Sequence, residues 1–441
     1  MTESRPRHNW MIRALTTPIV RWITWFGIVI AIGMAVGRWT APALGGLGPA
    51  IFWIGVVARP FVLTTAVVLL HLIEHYPNIR PALRSISQAC GVATFIGALA
   101  LATLEAQYRA FHPIPAMEFE SKDPLIYLQR PDPDLGWRSA PNYSLPMDFL
   151  SGTRGFTTNS LGFRDIEQEL DLTKPRVVII GDSFPLGWGG DVEDSITPLL
   201  RKTLPEAQIF NASWQAYTKD QIRWSYQNLA RPLKPKVVVM MLMSDPFRDT
   251  SLPLYFGLRK PYNLLDGDKL ILAGTPVEFY KNAEENRAYY IEWQARRVSG
   301  PVSAWRYLTH DFLLAYSAFG RQVVTTLEWR DAQRLGMPPL DAVESKIMST
   351  LRAEVEADGA HLIVVPSPRV DIFKVLKDPV RAMQRYLDDY RHLGIDTMDI
   401  TPLLLKDWPQ CFNGDKHPNA LAIQRIHGPL GDRIRAQLGS N

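Results

Sequence analysis

The sequence predicts an α/β protein, a three-layer domain built on a parallel sheet, preceded by an N-terminal transmembrane helical region. Three observations carry this. Val177 to Ile180 are continuously apolar and run straight into Gly181-Asp182-Ser183, the pattern of a strand buried on both faces that ends in a turn. From there to the end of the chain, strand-like and helix-like segments alternate, as a parallel sheet covered by helices requires. Finally, residues 1–115 carry nine arginines, no lysine and three acids, a net charge of +6; with +4 over all 441 residues, the remainder is −2. A basic excess confined to the first quarter points to membrane topology and away from a nucleic-acid surface on the main domain.

In the N-terminal region, Arg21 and Arg38 bracket sixteen uncharged residues, Trp22 to Gly37, and Ser85 to Leu104 is an uncharged run of twenty. Both suit membrane spans, the first with snorkelling arginines and Trp22 and Trp25 near one end. Pro49 to Ile73 is long enough for a third span, kinked at Arg59-Pro60. Arg5, Arg7 and Arg13 before the first span, and Arg80 and Arg84 between the second and third, belong on the cytoplasmic side. Three spans then make a multi-pass protein of the cytoplasmic (inner) membrane, with everything after Leu104 on the periplasmic or extracytoplasmic side. The expected division is a transmembrane region of about three helices over 1–112, a connector and lead-in over 113–153, and an α/β domain over 154–441.

Within that domain the expected strands are Val177–Ile180, Gln208–Asn211, Val237–Leu242, His361–Pro366 and Thr397–Ile400. Helices are expected over Glu193–Thr203, Lys219–Leu229 and Leu340–Asp358, with a last one capped by Asn419 and running to about Leu438. An insertion over about 246–340 separates the third and fourth strands. It opens on a hairpin around Asp266-Gly267 and continues with Tyr289, Tyr290, Trp293, Trp305, Tyr307 and Phe312. Those aromatics line a sugar or acyl pocket or, as helical spacing more often means, form core.

Ser183 falls just past a strand's carboxyl end, the edge at which open α/β sheets bind ligands. Asn413-Gly414-Asp415-Lys416-His417-Pro418-Asn419 supplies a base for it, since a neutral imidazole can take a serine proton while a carboxylate fixes its tautomer. Asp182 and Asn211 are read as turn-holding residues, and Arg164 as a pin that pairs with a carboxylate rather than with an anionic substrate. Cys90 and Cys411 form no disulfide framework. No metal-ligand spacing occurs, and Gly187-Trp188-Gly189-Gly190 lacks the Lys-Ser/Thr ending of a phosphate loop. No metal and no cofactor are expected.

Gly181-Asp182-Ser183-Phe184 and Asp415-Lys416-His417-Pro418-Asn419 resemble the first and last sequence blocks of the SGNH (GDSL-like) hydrolase superfamily, in a membrane-anchored bacterial form. Asn159-Ser160-Leu161-Gly162-Phe163-Arg164-Asp165 resembles a lead-in seen in many bacterial members. The second block is matched by Ile209 to Tyr217 with Ala216 in place of the family glycine, and the third by Val237 to Asp245 with Ser244 in place of the family asparagine. The resemblance covers roughly 154–272 and 345–438. It implies a flavodoxin-like sheet and a serine esterase with Ser183 as nucleophile, His417 as base and Asp415 as orienting acid. The oxyanion hole would be made by the N–H groups of Ser183 and Ala216 with the Ser244 hydroxyl.

The implied partner is an acyl-ester substrate, drawn by location from an envelope glycan, lipid or exported ester, beside the lipid bilayer itself. Two other readings stay open on sequence. The same triad serves an O-acyltransferase of a cell-envelope polysaccharide, whose membrane spans would bind an acyl-donor partner. The Ala216 and Ser244 departures also suit a non-catalytic binding module.

Overall fold

The computed structural model of the chain describes residues 103–107, 130–145, 156–188, 190–244, 253–255, 257–278, 281–297, a few positions between 319 and 330, 340–414 and 416–439. The expected spans, with Arg59 and Cys90, lie outside these residues. Among the described residues no helix is long and apolar enough to cross a membrane. The chain divides into two compact units, residues 1–115 with 304–324, and residues 116–303 with 325–441. In the first, residues 103–107 are helical, and the buried Glu105 carboxylate accepts the Phe319 N–H at 3.1 Å.

The second unit opens on two small hairpins, β1 (Arg130–Asp132) with β2 (Gly136–Arg138), and β3 (Ser144–Leu145) with β4 (Phe156–Thr157). The core then begins with β5 (Arg176–Gly181), the short helix α1 (Ser183–Leu186), α2 (Ile196–Thr203), β6 (Gln208–Asn211), α3 (Lys219–Ser225) and β7 (Val237–Ser244). β6 has the bounds expected from the sequence, and β5 and β7 each gain a residue or two at their ends.

In the insertion, β8 (Leu254–Tyr255) pairs with β9 (Leu258–Arg259), and β10 (Tyr262–Asp266) with β11 (Lys269–Ala273) around the expected Asp-Gly turn. α4 (Ala283–Arg297) follows. Trp293 is fully buried and packs against Tyr262 and Tyr290 with ring centroids 6.4 and 5.5 Å apart. Trp293 is therefore core, while Tyr289 and Tyr290 are half-buried; Trp305, Tyr307 and Phe312 lie outside the described residues.

The chain returns through α5 (Ala342–Ala357), capped by Asp341, and β12 (His361–Pro368). Two helices not expected from the sequence come next, α6 (Val370–Val375) and α7 (Pro379–His392). β13 (Asp396–Thr397), α8 (Thr401–Leu405) and α9 (Ala420–Leu438) complete the unit. β13 is shorter than expected and lies a residue earlier, although Met398 N–H still bonds to Val364 O at 3.0 Å.

All neighbours in the five-stranded sheet are parallel, in the order β6-β5-β7-β12-β13. This is the flavodoxin-like order, whose switch point falls between the first and third strands, here β5 and β7. Alternation sends Val178, Ile180, Val238, Met240 and Val364 to one face, against Ile222, Leu351 and Met383. Val177, Ile179, Val239, Met241 and Val365 go to the other, against Ile196, Leu200, Ile426 and Ile434. Both faces are covered, which accounts for the unbroken apolar runs in the three central strands.

Candidate functional site

Ser183 opens α1 directly behind β5, at the switch point. The turn has to be tight because β7 passes against it: a Cβ on Gly181 would stand 1.9 Å from Met241 O. Asp182 caps the turn and also reaches across to the next strand. One of its oxygens accepts the Phe184 N–H at 2.9 Å and the other the Met243 N–H at 2.8 Å. Asn211, at the end of β6, holds the far side, donating to Pro185 O at 2.7 Å and to Thr197 Oγ1 at 3.0 Å. Both side chains hold turns, and Asp182 in addition ties the Ser183 turn to β7.

His417 arrives on the loop that leads into α9. That loop closes on itself: Asn413 N–H bonds to His417 O at 2.7 Å, Lys416 N–H to Asn413 O at 2.9 Å, and Phe412 bridges Pro418. Asn419 caps α9 through the N–H groups of Leu421 and Ala422 and donates to Gln410 O. The result puts His417 Nε2 2.8 Å from Ser183 Oγ, joining residues 234 positions apart. Ser183 is 7% exposed. The Met243 sulfur lies 4.0 Å from Ser183 Oγ. Asp415 lies outside the described residues. Cys411 is buried in the core beneath the loop.

β5 lies between β6 and β7, so the segments leaving those two strands flank Ser183. On one side the turn after β6 carries Ala216, whose φ is +62°. That left-handed backbone costs a non-glycine residue about 1–2 kcal/mol. Alanine thus occupies a backbone conformation that glycine adopts without that cost. On the other side β7 ends at Ser244, fully buried, with an Oγ that has no hydrogen-bond partner among the described residues. A buried hydroxyl without a partner is a donor available to a ligand.

Arg164 is 2% exposed and donates to the carbonyls of Leu186, Gly187 and Gly190. It pins the lead-in to the loop that follows Ser183, as expected, but its hydrogen bonds go to carbonyls and not to the carboxylate expected from its charge. Burial lowers its pKa to about 10, opposed by the fields of Asp191 and Glu193. The neighbouring Asp165 takes the carboxylate role, paired with Arg201.

Burial pushes the Asp182 carboxyl up to about 6, against the opposing pull of the Met243 and Phe184 N–H groups and of His417. An unfolded aspartate titrates near 3.9, so between about pH 4 and 6 the native state holds the extra proton. The contribution of Asp182 to stability then falls as pH rises through that window and is constant above it. Asp182→Asn cannot ionise. From pH 4 to 7 the stability of the natural chain should therefore drop relative to that variant by up to about 3 kcal/mol. Urea unfolding of both across that range reads the difference, and a constant gap would mean that Asp182 titrates as an ordinary carboxyl.

Fold and site define a class: an α/β protein with a serine–histidine pair at the carboxyl edge of a flavodoxin-like sheet. No family model matches the chain, and no curated protein sequence matches it. Among solved structures it is similar to the psychrotrophic esterase EstA from Pseudoalteromonas sp., at 11% identity and TM-score 0.32, over 60% of this chain and 100% of that one. It is similar also to a catalytic mutant of the acetylxylan esterase Axe2 from Geobacillus stearothermophilus, at 11% identity and TM-score 0.32, over 62% and 98%. A lipase/acylhydrolase from Enterococcus faecalis matches at 9% identity and TM-score 0.33, over 60% and 96%.

Proposed function

We propose that the chain is a serine-dependent acyl-ester hydrolase of the SGNH type. The observation that carries this is the 2.8 Å contact between Ser183 Oγ and His417 Nε2 at the switch point. Ser183 Oγ attacks the ester carbonyl carbon while His417 Nε2 takes its proton. The same nitrogen then gives that proton to the departing alkoxide, leaving an acyl-serine that a water, deprotonated by His417, opens. Asp415, two residues before His417, fixes the imidazole tautomer. The N–H groups of Ser183 and Ala216 and the Ser244 hydroxyl meet the developing oxyanion. The topology supports these assignments, since Ala216 lies in the turn that follows β6 and Ser244 ends β7, the strands on either side of β5.

The arginine distribution of residues 1–115 supports a multi-pass anchor in the cytoplasmic membrane and a site on its outer side. Esters of an envelope glycan or lipid are then the substrates within reach. The full chain should hydrolyse short-chain nitrophenyl esters, and Ser183→Ala should lower that turnover by about 1,000-fold or more. Equal turnover in the two proteins would refute the assignment. Serine-dependent transfer to a sugar hydroxyl without release to water would make the chain an acyltransferase.

A further inference from the structure

We propose that Trp137, on the hairpin that precedes the sheet, is a positioning residue that aims the Ala216 N–H at the reacting carbonyl; this rests on the hydrolase reading above. Trp137 is fully buried. Its indole Nε1 donates to Gln215 O at 3.1 Å, and its own carbonyl accepts the Tyr217 hydroxyl at 3.1 Å. One residue thus holds both neighbours of Ala216.

The first of these bonds has a direct geometric consequence. Gln215 C=O and Ala216 N–H belong to a single planar, trans peptide unit, so they point in opposite directions. Fixing the carbonyl on Trp137 fixes the N–H away from Trp137. A hydrogen bond to that carbonyl also polarises the same amide and strengthens its N–H as a donor.

The bond is needed because of the residue it serves. A flip of the Gln215–Ala216 peptide would carry the Ala216 φ from +62° into the negative region that alanine prefers, and would turn the N–H away. Glycine has no such preference. The flanks of the turn are held as well. Trp214 N–H bonds to Gly181 O at 3.2 Å, Gln221 Nε2 to Leu135 O at 3.0 Å, and Lys260 Nζ, from the insertion, to Thr218 Oγ1 at 2.9 Å. None of these three touches the Gln215–Ala216 peptide itself.

The test is a cycle in the full chain: Trp137→Phe, Ala216→Gly and the double variant, with Ser183→Ala as control. Phenylalanine keeps a buried aromatic ring but deletes the indole donor together with the pyrrole part of the ring system, and the Ala216→Gly background, which shares that loss of packing, isolates the part due to the donor. Trp137→Phe should lower kcat on a nitrophenyl ester about tenfold with KM changed less than twofold. The same substitution made on Ala216→Gly should cost threefold or less. Equal losses in both backgrounds, or a change confined to KM, would overturn the proposal.

Amide hydrogen exchange over residues 213–218 gives a readout that needs no turnover. It should quicken in Trp137→Phe while β5 and β7 stay protected, and unchanged exchange would also overturn the proposal. Should Trp137→Phe fail to fold, Tyr217→Phe removes the second bond, and the same pattern is required of it. Ester turnover indifferent to Ser183→Ala would remove the hydrolase reading alone, with the exchange measurement still deciding whether Trp137 holds the turn.

Discussion

Replacing His417 with alanine should lower kcat for ester hydrolysis by about 10,000-fold or more, because a serine hydroxyl without a base is almost wholly protonated at neutral pH. The loss should fall on chemistry and not on folding. The loop that carries His417 is closed by backbone bonds, from Asn413 N–H to His417 O and from Lys416 N–H to Asn413 O, and by the Phe412–Pro418 bridge. The α9 cap is made by Asn419. None of these bonds uses the imidazole, so they survive His417→Ala while the proposed base is removed. KM should change little, and covalent labelling of Ser183 by a fluorophosphonate should slow in step with kcat. A variant retaining a tenth of the natural turnover would show that another group takes the serine proton.

The parts of this site that are legible in the sequence are those whose chemistry lies next to their structural signal. Ser183 follows a strand that is apolar without interruption, and His417 precedes a helix whose cap, Asn419, is visible two residues on. Other features depend on contacts that leave no local pattern. The charge of Arg164 suggests half of an ion pair, but its acceptors are main-chain carbonyls of Leu186, Gly187 and Gly190, which any residue type supplies. The reach of Asp182 to Met243 N–H joins residues 61 apart in the sequence. The Trp137–Gln215 bond joins residues 78 apart, so the role of the first hairpin emerges only from the folded chain. α7 is different, since its signals are present. Asp378-Pro379 is a cap followed by proline at the first helical position, and Ala382, Met383, Tyr386, Leu387 and Tyr390 repeat at helical spacing on the buried side.

Gly181→Ala should produce the largest loss of stability of any single methyl added at this site, about 3 kcal/mol or more. The added Cβ would stand 1.9 Å from Met241 O, 2.7 Å from Pro185 Cγ and 3.0 Å from the Met241 carbonyl carbon. Met241 is the residue paired with Gly181 in the β5–β7 ladder and is itself paired with Val365 of β12. Its carbonyl can retreat only by parting the middle of the sheet, so relief by a rotamer change is closed. Gly428→Ala is the matching control: it lies in α9 and, its chain neighbours apart, its Cβ would meet nothing within 4 Å. The helix preference of alanine, up to about 1 kcal/mol, is opposed by Pro429, which follows it and disfavours a Cβ on a helical residue before it, so the net change should stay within about 1 kcal/mol. Urea unfolding should separate the two substitutions by about 2 kcal/mol or more, and a Gly181→Ala chain as stable as the natural one would mean that β5 and β7 do not approach so closely. The same closeness serves the chemistry. It lets Asp182 reach the Met243 N–H and brings Ser183 up to the end of β7, where Ser244 stands. A bulkier residue at position 181 would therefore take Ser183 away from the end of β7, and lower the proposed ester turnover, even in the fraction of molecules that still fold.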